Sequence, residues 1–368
     1  MYTPLFSATD TPRACARPGS ARRPGRSAAQ LLRWVAAVVL GLGAAGAQAS
    51  ATLEKVLARD ALLCGTSPGM AGFSHPGATA GAWEGLDVDI CRAVAAAVLG
   101  SGNKVQFVHL QVDERLPALR EGRFDMLSFA TTFTMSRAAG MGLQTTVPTY
   151  YDGQGFLVPV ASKIRSASQL RNQSICVTTT GSSEQTLKEY STANKMGLKV
   201  QSFARFRAAM DAYLAGRCTA ISADATSLAV LRRTQTPLPA EHTILPALIS
   251  KEPLGPMVRG GDEGWARIVT WVVYGLIAAE EHGITRANVD RQAASSLDAE
   301  VQRMLGRSED MGKLIGLDRE WLLRAIRATG NYGEIFARNV GPNSPLGLPR
   351  GLNALWRNGG LMYALPIR

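Results

Sequence analysis

Leu62-Leu63-Cys64-Gly65-Thr66 (residues 62–66) predicts a short buried β-strand that ends in a loop rich in Gly, Ser and Pro. The next regular segment is DVDICRAVAAAVL at residues 87–99. It predicts a helix, because apolar side chains recur on one face, an acid begins the segment and Gly100 follows its end. A strand followed by a helix of this length is the basic unit of an α/β fold.

The same alternation continues along the chain. Strands are predicted at 105–108 and 124–128, with a helix at 114–120 between them. The order then restarts near residue 174. This second series has strands at 174–178, 198–203 and 220–222 and helices at 182–190 and 206–214. The sequence therefore predicts two α/β units, each with a mostly parallel sheet flanked by helices.

The last strands of the two units follow a common pattern. Gly122-Arg123 precedes Ser128 by the same spacing that separates Gly216-Arg217 from Ser222. In this overlay Ala130 is the counterpart of Asp224. Both lie just past the carboxyl end of a strand, where open α/β sheets place ligands.

Beyond Pro253 the pattern becomes helical, at 265–281, 297–305 and 320–329, and a Gly/Pro-rich tail ends in a further short helix. We expect this region to pack on the first unit. Extended crossovers are predicted at 150–159 and 245–251, which carry Gly or Pro. One unit then combines residues 50–155 with 250–368, and the other comprises 156–249.

The first 49 residues have the composition of a signal peptide. They contain six arginines and one acid, followed by the apolar run 31–46 and Ala47-Gln48-Ala49. This order predicts a cleaved secretory signal, with cleavage after Ala49 and export to the periplasm. The run is shorter than the roughly 20 residues that span a bilayer, which disfavours a membrane anchor.

Removal of residues 1–49 lowers the formal net charge from +11 to +6. The remaining chain has no stripe of Lys and Arg with interleaved aromatics, so nucleic-acid binding is not expected. No later segment is long and apolar enough for an integral membrane protein.

Four cysteines remain after cleavage: Cys64, Cys91, Cys176 and Cys218. Four cysteines allow three pairings, of which the organisation of the chain favours Cys64 with Cys91 and Cys176 with Cys218. Such bridges fit an oxidising compartment. Metal ligation is the weaker alternative, because the sequence has no CxxC or HxxxH spacing. We expect neither a metal nor a cofactor.

Three segments carry groups suited to a zwitterionic ligand. Arg137 ends the hydroxyl-rich loop TTFTMSR and could donate two hydrogen bonds to a carboxylate, although a loop arginine is often only a solvated surface group. Asp224 could accept from an ammonium, or serve as a helix N-cap. The loop TTTGSS at 178–183 enters a helix whose N-terminal amides favour an anion, or is simply a capped helix start.

Several long segments resemble a known family. They are GLDVDICRAVAAAV at 85–98, YYDGQGFLVP at 150–159, SKEPLGPMVRGGDEGW at 250–265, LIAAEEHGIT at 276–285 and LPRGLNALWRNGGLMYALPIR at 348–368. The chain is similar to periplasmic amino-acid-binding proteins of ATP-driven (ABC) importers, and in particular to the general L-amino-acid-binding branch. The resemblance covers the chain from about Thr52 to its last residue. It implies a two-lobed periplasmic binding protein type II fold with a helical C-terminal extension.

The resemblance also implies roles for individual residues. Arg137 and Thr132 match the positions that hold the ligand's α-carboxylate, and Ser183, with Ser182 beside it, matches the second lobe's contribution. Asp224 matches the partner of the α-ammonium. The expected partners are a free amino acid and the permease subunits of an ABC transporter, and the protein is expected to be a monomer.

The sequence departs from this family at the pocket rim. Close relatives carry Arg-Asn where this chain has Phe129-Ala130, and often tryptophan in place of Phe133. Met70 occupies the region where receptors for basic amino acids place a stacking aromatic, which argues against a narrow preference for lysine, arginine or histidine.

We expect a hinge mechanism, in which ligand binding favours a closed form that the transporter recognises. Two other functions fit the same fold. One is a dehydratase-like enzyme, for which Glu184 would be the nearest candidate acid or base. The other is an amino-acid receptor for a signalling partner.

Overall fold

Two five-stranded sheets organise the chain in the computed structural model, which describes residues 50–368. The predicted signal peptide at 1–49 lies outside the described residues. The strands are β1 (Leu62–Thr66), β2 (His75–Pro76), β3 (Trp83–Glu84), β4 (Val105–His109), β5 (Met126–Leu127), β6 (Leu143–Thr145), β7 (Tyr150–Asp152), β8 (Gln154–Pro159), β9 (Ser174–Thr178), β10 (Lys199–Phe203), β11 (Ala220–Asp224), β12 (His242–Ile244), β13 (Glu252–Leu254) and β14 (Met257–Arg259).

Helices flank these sheets. They are α1 (Ala51–Arg59), α2 (Leu86–Leu99), α3 (Arg115–Arg120), α4 (Met135–Gly140), α5 (Ser183–Ala193), α6 (Phe206–Leu214), α7 (Ala225–Val230), α8 (Glu263–Glu281), α9 (Val289–Ser295), α10 (Ala299–Met304), α11 (Trp321–Thr329) and α12 (Tyr332–Asn339). A π-helical turn, Leu231–Gln235, continues α7. Short 3-10 turns lie at Val160–Ser162, Ala167–Leu170, Pro239–Glu241, Gly312–Ile315, Gly351–Asn353 and Trp356–Asn358.

The two sheets share one topology. Their strand orders are β4-β1-β5-β14-β6 and β10-β9-β11-β8-β12. In each sheet the first three strands are parallel, and the fourth is antiparallel to both of its neighbours. The sheets are therefore mixed, with one reversed strand in each. We call the first sheet with its helices the first half, and the second sheet with its helices the second half.

The reversed strands are the ones that arrive from the other half. The chain leaves the first half through β7 and enters the second sheet as β8, and it returns through β13 into β14. β7 and β13 pair with each other in a separate two-stranded ribbon. The predicted crossover at 150–159 forms β7 and β8, whereas the extended return segment is β13, directly after the predicted 245–251.

The internal repeat predicted from the two glycines has a structural basis. Gly122 and Gly216 have φ of +74° and +71°, a conformation that favours glycine. Each donates its N–H to the carbonyl three residues earlier, and the following arginine donates to the carbonyl five residues earlier. This is the same helix-ending motif twice, and it delivers β5 and β11 to matching places in the two sheets.

The core of the second half shows why β9 has three consecutive apolar side chains at its centre. In β9, Ile175 and Val177 belong to a cluster with Leu187 of α5, whereas Cys176 belongs to a cluster with Met210 of α6. Alternate side chains of one strand are therefore buried on opposite faces of the sheet.

The C-terminal helices pack on the first half, as the sequence predicted. α11 lies against α2, and Arg324 donates from Nη2 to the carbonyl of Ala97 at 2.8 Å and from Nε to that of Ala96 at 3.2 Å. The bond to Ala97 satisfies a carbonyl in the last turn of α2, whereas the carbonyl of Ala96 also accepts from the N–H of Gly100 at 3.1 Å. The sequence did not predict α9 and α12. The tail beyond residue 350 forms 3-10 turns instead of the predicted short helix, because Gly351, Gly359 and Gly360 interrupt it.

One disulfide lies in each half. Cys64 of β1 joins Cys91 of α2, and Cys176 of β9 joins Cys218 just before β11. These are the two pairings that the organisation of the sequence favoured. In residues 50–368, no helix is at once long enough and apolar enough to cross a bilayer.

Candidate ligand-binding site

A cavity of about 440 Å³ opens between the two halves. Ligand clefts of small molecules have volumes of roughly 300–1,000 Å³, so a single amino acid or a somewhat larger molecule fits. The first half contributes Arg115, Arg120, Ser136 and Arg137 to its wall, and the second half contributes Gly181, Ser182 and Gln185. Two of the predicted site residues, Arg137 and Ser182, therefore lie directly on this wall.

Arg137 is fixed at the cavity by its own loop. Thr134 caps the N-terminus of α4, and Arg137 is the third residue of this helix. The side chain of Arg137 donates from Nη1 to the carbonyl of Thr132 at 2.7 Å. The residue is only 8% exposed. Burial lowers the pKa of its guanidinium, while Glu252 and Asp224 act in the opposite direction. Arg137 thus keeps a positive charge in a poorly solvated place, with donors left over for a carboxylate.

The loop that carries Arg137 is attached to the return crossover. Thr132 forms a β-bridge with Leu254 of β13, and Phe133 donates its N–H to the carbonyl of Pro253 at 2.8 Å. Any movement of β13 would therefore be transmitted to this loop.

Asp224 ends β11 in the second half, outside the set of residues that line the cavity, and pairs with Gln154 of β8. Its carboxylate is half-buried and accepts no hydrogen bond from residues 50–368. Burial raises the pKa of Asp224 to about 8, and the negative charges of Asp152 and Glu252 add to this rise. The positive charges of Arg115 and Arg137 act in the opposite direction. The two predicted charged residues therefore lie within electrostatic range of each other from opposite halves. A carboxylate without donors in such a place is suited to an ammonium group.

The predicted anion-favouring helix start is also at the cavity. α5 begins at Ser183, and no side chain caps its first turn, so its first N–H groups remain available. Gly181 has φ of +92° and, with Ser182, lines the cavity. Ser183 accepts a hydrogen bond at its carbonyl from Gln154 Nε2 at 3.0 Å, which fixes the position of the helix start.

Ala130 and Met70 have backbone roles in the structure. Ala130 has φ of +43°, and its N–H donates to Asp87 Oδ2 at 2.8 Å. The other oxygen of Asp87 accepts from Ser128 Oγ at 2.7 Å. Met70 forms a tight turn with Ser74 and packs against the core of the first half. Neither Ala130 nor Met70 is part of the cavity wall described above.

Sequence reasoning missed four residues here: Arg115, Asp152, Gln154 and Glu252. Arg115 is 5% exposed and lies on the cavity wall, and burial lowers the pKa of its guanidinium to about 9. It follows the carboxyl end of β4, so the rule that placed Asp224 could also have found it. In the part of the chain described, Gln154 Oε1 and Glu252 Oε2 are buried without a hydrogen-bond donor. No local signal marks these two.

Glu184, the candidate acid or base of the enzyme alternative, is held by other groups. Its carboxylate accepts from Lys188 Nζ and from Ser202 Oγ, both at 2.7 Å, and these bonds lower its pKa. Within residues 50–368, no group of three or more His, Cys, Asp or Glu side chains is arranged to hold a metal ion.

This chain is similar in sequence to known amino-acid-binding proteins. The glutamate/glutamine/aspartate/asparagine-binding protein BztA of Rhodobacter capsulatus is 46% identical, over 90% of this chain and 97% of its own length. The general L-amino acid-binding periplasmic protein AapJ of Rhizobium johnstonii is 44% identical, over 91% and 97%. Both are named as binding proteins and not as enzymes.

A solved structure shares the same fold. It is an ABC transporter periplasmic binding protein from Brucella ovis with glutathione bound, 44% identical, with a TM-score of 0.82 over 86% of this chain and 99% of that one. The predicted α/β fold of the periplasmic binding protein type II class is confirmed. The model of the bacterial extracellular solute-binding proteins, family 3, matches residues 62–324, and the resemblance seen in the sequence is also confirmed. The chain belongs to the bacterial extracellular solute-binding proteins, family 3.

Proposed function

We propose that this protein is the amino-acid-binding component of an ABC importer, exported to the periplasm by residues 1–49. The observation that carries the proposal is the placement of Arg137 and Asp224. They come from opposite halves and lie within electrostatic range of each other, and Arg137 lies on the wall of the cleft between the halves. The names of the related binding proteins support an amino acid as ligand and an ABC transporter as partner. The protein binds its ligand and does not convert it.

The two charged ends of the amino acid would meet matching groups. Arg137 and Thr132 would hold the α-carboxylate, together with the free amides and hydroxyls of Ser182 and Ser183. Asp224 would accept from the α-ammonium. Both interactions gain strength as the cleft closes, because charge-assisted hydrogen bonds are stronger away from water. Ala130 and Met70 would lie near the rim.

Closure would move two lobes about the β7–β13 ribbon. One lobe comprises 50–155 with 250–368, and the other comprises 156–249. A zwitterion that contacts both lobes binds the closed form better than the open form and so shifts the population towards it. The monomeric, closed receptor would then dock on the permease subunits and release the amino acid there.

Isothermal titration calorimetry with the twenty amino acids tests the proposal. Arg137→Ala should weaken binding of every amino acid by about 2–5 kcal/mol, roughly thirtyfold to several thousandfold. The reason is that the α-carboxylate of the bound ligand would be buried without its charged partner. Arg165→Ala, at an exposed arginine remote from the cavity wall, serves as the matched control. The proposal is wrong if no amino acid binds, or if Arg137→Ala leaves all affinities unchanged.

A further inference from the structure

We infer that Asp87 is a positioning residue for ligand binding: its carboxylate holds residues 128–132 in the conformation that directs Arg137 to the cavity. We call residues 128–132 the binding loop. Asp87 does not lie on the cavity wall, so it acts through this loop and not by contact with a bound molecule. The inference rests on the proposed function, because it assumes that Arg137 holds the α-carboxylate of an amino acid.

Both oxygens of Asp87 are bonded to the binding loop. Asp87 lies in the first turn of α2 and is only 1% exposed. Its Oδ1 accepts from Ser128 Oγ at 2.7 Å, and its Oδ2 accepts from the N–H of Ala130 at 2.8 Å. These bonds fix the loop relative to the helix, because breaking either one would leave a buried polar group without its partner.

The other residues of the binding loop contact the two buried arginines of the cavity wall. Arg115 lies over the ring of Phe129, 5.0 Å from its centre, and its Nε donates to Thr131 Oγ1 at 3.3 Å. Arg137 donates from Nη1 to the carbonyl of Thr132 at 2.7 Å. A shift of the loop would therefore move the acceptors that orient both guanidinium groups.

Ala130 is the residue of the loop that must be held in place. Its φ of +43° lies in the left-handed region, which is unfavourable for alanine. A strained conformation persists only where the surroundings enforce it, and the Ala130 N–H is bonded to Asp87. Without this bond, Ala130 would relax to a negative φ and would turn the peptide units of Thr131 and Thr132 away from their present positions.

The effect of Asp87 on the site is geometric, because its charge does not act on Arg137. Burial lowers the pKa of Arg137, and the charges that oppose this effect are those of Glu252 and Asp224. Asp87 is not among them. An uncharged side chain with the same shape and the same capacity for hydrogen bonds should therefore replace Asp87.

Calorimetry with each of the twenty amino acids that the wild-type protein binds provides the test. Asp87→Ala should weaken all of these affinities by about six- to thirtyfold, because an unrestrained alanine occupies the left-handed region only about 3–16% of the time. Asp87→Asn should stay within about threefold of the wild type, since its amide oxygen can accept from Ala130 and its amide NH2 group can donate to Ser128 Oγ.

Asp89→Ala is the matched control. Asp89 lies two residues further along α2 and is 6% exposed, but its Oδ2 accepts from Arg338 Nε at 2.9 Å and from Asn339 Nδ2 at 2.6 Å. Both alanine variants remove a buried, hydrogen-bonded carboxylate, so both should lower the melting temperature. Only Asp87→Ala should weaken binding, whereas Asp89→Ala should stay within about twofold of the wild-type affinity.

A second measurement repeats Asp87→Ala in a protein that also carries Ala130→Asn. Asparagine tolerates the left-handed region better than alanine, so the loss of affinity caused by Asp87→Ala should shrink to about threefold or less. If Asp87→Ala does not fold, Ser128→Ala takes its place. This variant removes the bond that orients the carboxylate of Asp87 and should weaken binding about threefold or more.

An Asp87→Ala protein that binds as tightly as the wild type overturns the inference, and so does an Asp87→Asn protein that loses as much affinity as Asp87→Ala. Equal losses in Asp87→Ala and Asp89→Ala also overturn it, because they show a general effect of destabilisation. If the wild-type protein binds no amino acid, the proposed function itself has failed. If it binds amino acids and Asp87→Ala, or Ser128→Ala in its place, binds them equally well, only the role of Asp87 is refuted.

Discussion

Asp152 and Glu252 lie directly opposite each other across β7 and β13, the two strands that connect the halves. Both side chains are buried, and Glu252 accepts from Ser250 Oγ at 2.8 Å with one oxygen only. Burial raises the pKa of Asp152 to about 6, and Glu252 adds to this rise, although hydrogen bonds from Thr226 and Gly153 oppose it. Two like charges at a cross-strand pair destabilise the ribbon when both are ionised. The proposed hinge is therefore sensitive to protonation.

The first prediction concerns stability against pH. The pKa values of Asp152, Asp87 and Asp224 are raised by burial to about 6, 7 and 8, above the ordinary 3.8. The folded state then binds more protons than the unfolded state between pH 4 and 8. The stabilisation from these groups is complete below pH 4 and is lost as pH rises through 6 to 8. The unfolding free energy of the ligand-free protein, measured with urea at pH 5, 6, 7 and 8, should fall by a few kcal/mol, on the order of one per pKa unit.

Glu252→Gln sharpens this test. It removes the like charge that raises the pKa of both Asp152 and Asp224, so it should stabilise the protein at pH 8 more than at pH 5. Glu189→Gln, at an exposed residue of α5, should follow the wild-type curve. A wild-type stability that is constant or rises over this range would contradict the argument.

The second prediction concerns proton release on binding. A raised pKa keeps Asp224 largely protonated at pH 7 in the ligand-free protein, but an ammonium ligand requires the carboxylate. Binding should therefore release a proton, and affinity should increase from pH 6 to pH 8. Calorimetry in buffers of different ionisation enthalpy measures this release directly.

Asp224→Asn should abolish the proton release and weaken binding by about 2–5 kcal/mol, because the ammonium loses its charged partner. Glu54→Gln, at an exposed residue of α1, serves as the control. A binding enthalpy of the wild-type protein that is independent of buffer would refute the assignment of Asp224 to the ammonium.

The third prediction concerns Ala130. Its φ of +43° lies in the left-handed region, which costs an alanine about 1–2 kcal/mol and which asparagine tolerates better. Ala130→Asn should raise the unfolding free energy by about 0.5–1 kcal/mol, since the N–H bond to Asp87 is made by the backbone and is retained. Ala130→Val should lower it, because a β-branched residue is poorly tolerated there. Thermal unfolding of the wild type and the two variants tests this prediction. An asparagine variant that melts below the wild type would count against backbone strain at Ala130.

The fourth prediction concerns the disulfides. They close segments of 27 and 42 residues, for which chain entropy gives about 3.5 and 4 kcal/mol of stabilisation. Replacing Cys64 and Cys91 together by alanine should lower the unfolding free energy by about that amount, and the Cys176 and Cys218 pair should behave alike. Urea unfolding of the wild type, measured first with intact disulfides and then after reduction, provides the reference values for the two variants. A loss below about 1 kcal/mol for either pair would show that the bridge adds little to the fold.

Much of the fold could be predicted because its determinants are local. Residues 174–178 and 206–214 were predicted with the bounds found in β9 and α6. The chain turns at Gly122 and Gly216 because glycine adopts the left-handed conformation at little cost. Helices and strands that are not bounded by such a glycine turn were predicted less well. Helix α9 was missed because it is a single short helix of seven residues between loops.

The sequence by itself determined the alternation of strands and helices, the repeat that ends at Ser128 and Ser222, and the family. Each of these depends on residues that are close together in the chain. Tertiary structure alone decided that Arg115 and Glu252 come within electrostatic range of Asp224. It also decided that Gln154 holds the start of α5 through the carbonyl of Ser183. It also decided their electrostatics, because the pKa of a carboxyl or guanidinium group depends on which distant segments exclude water from it.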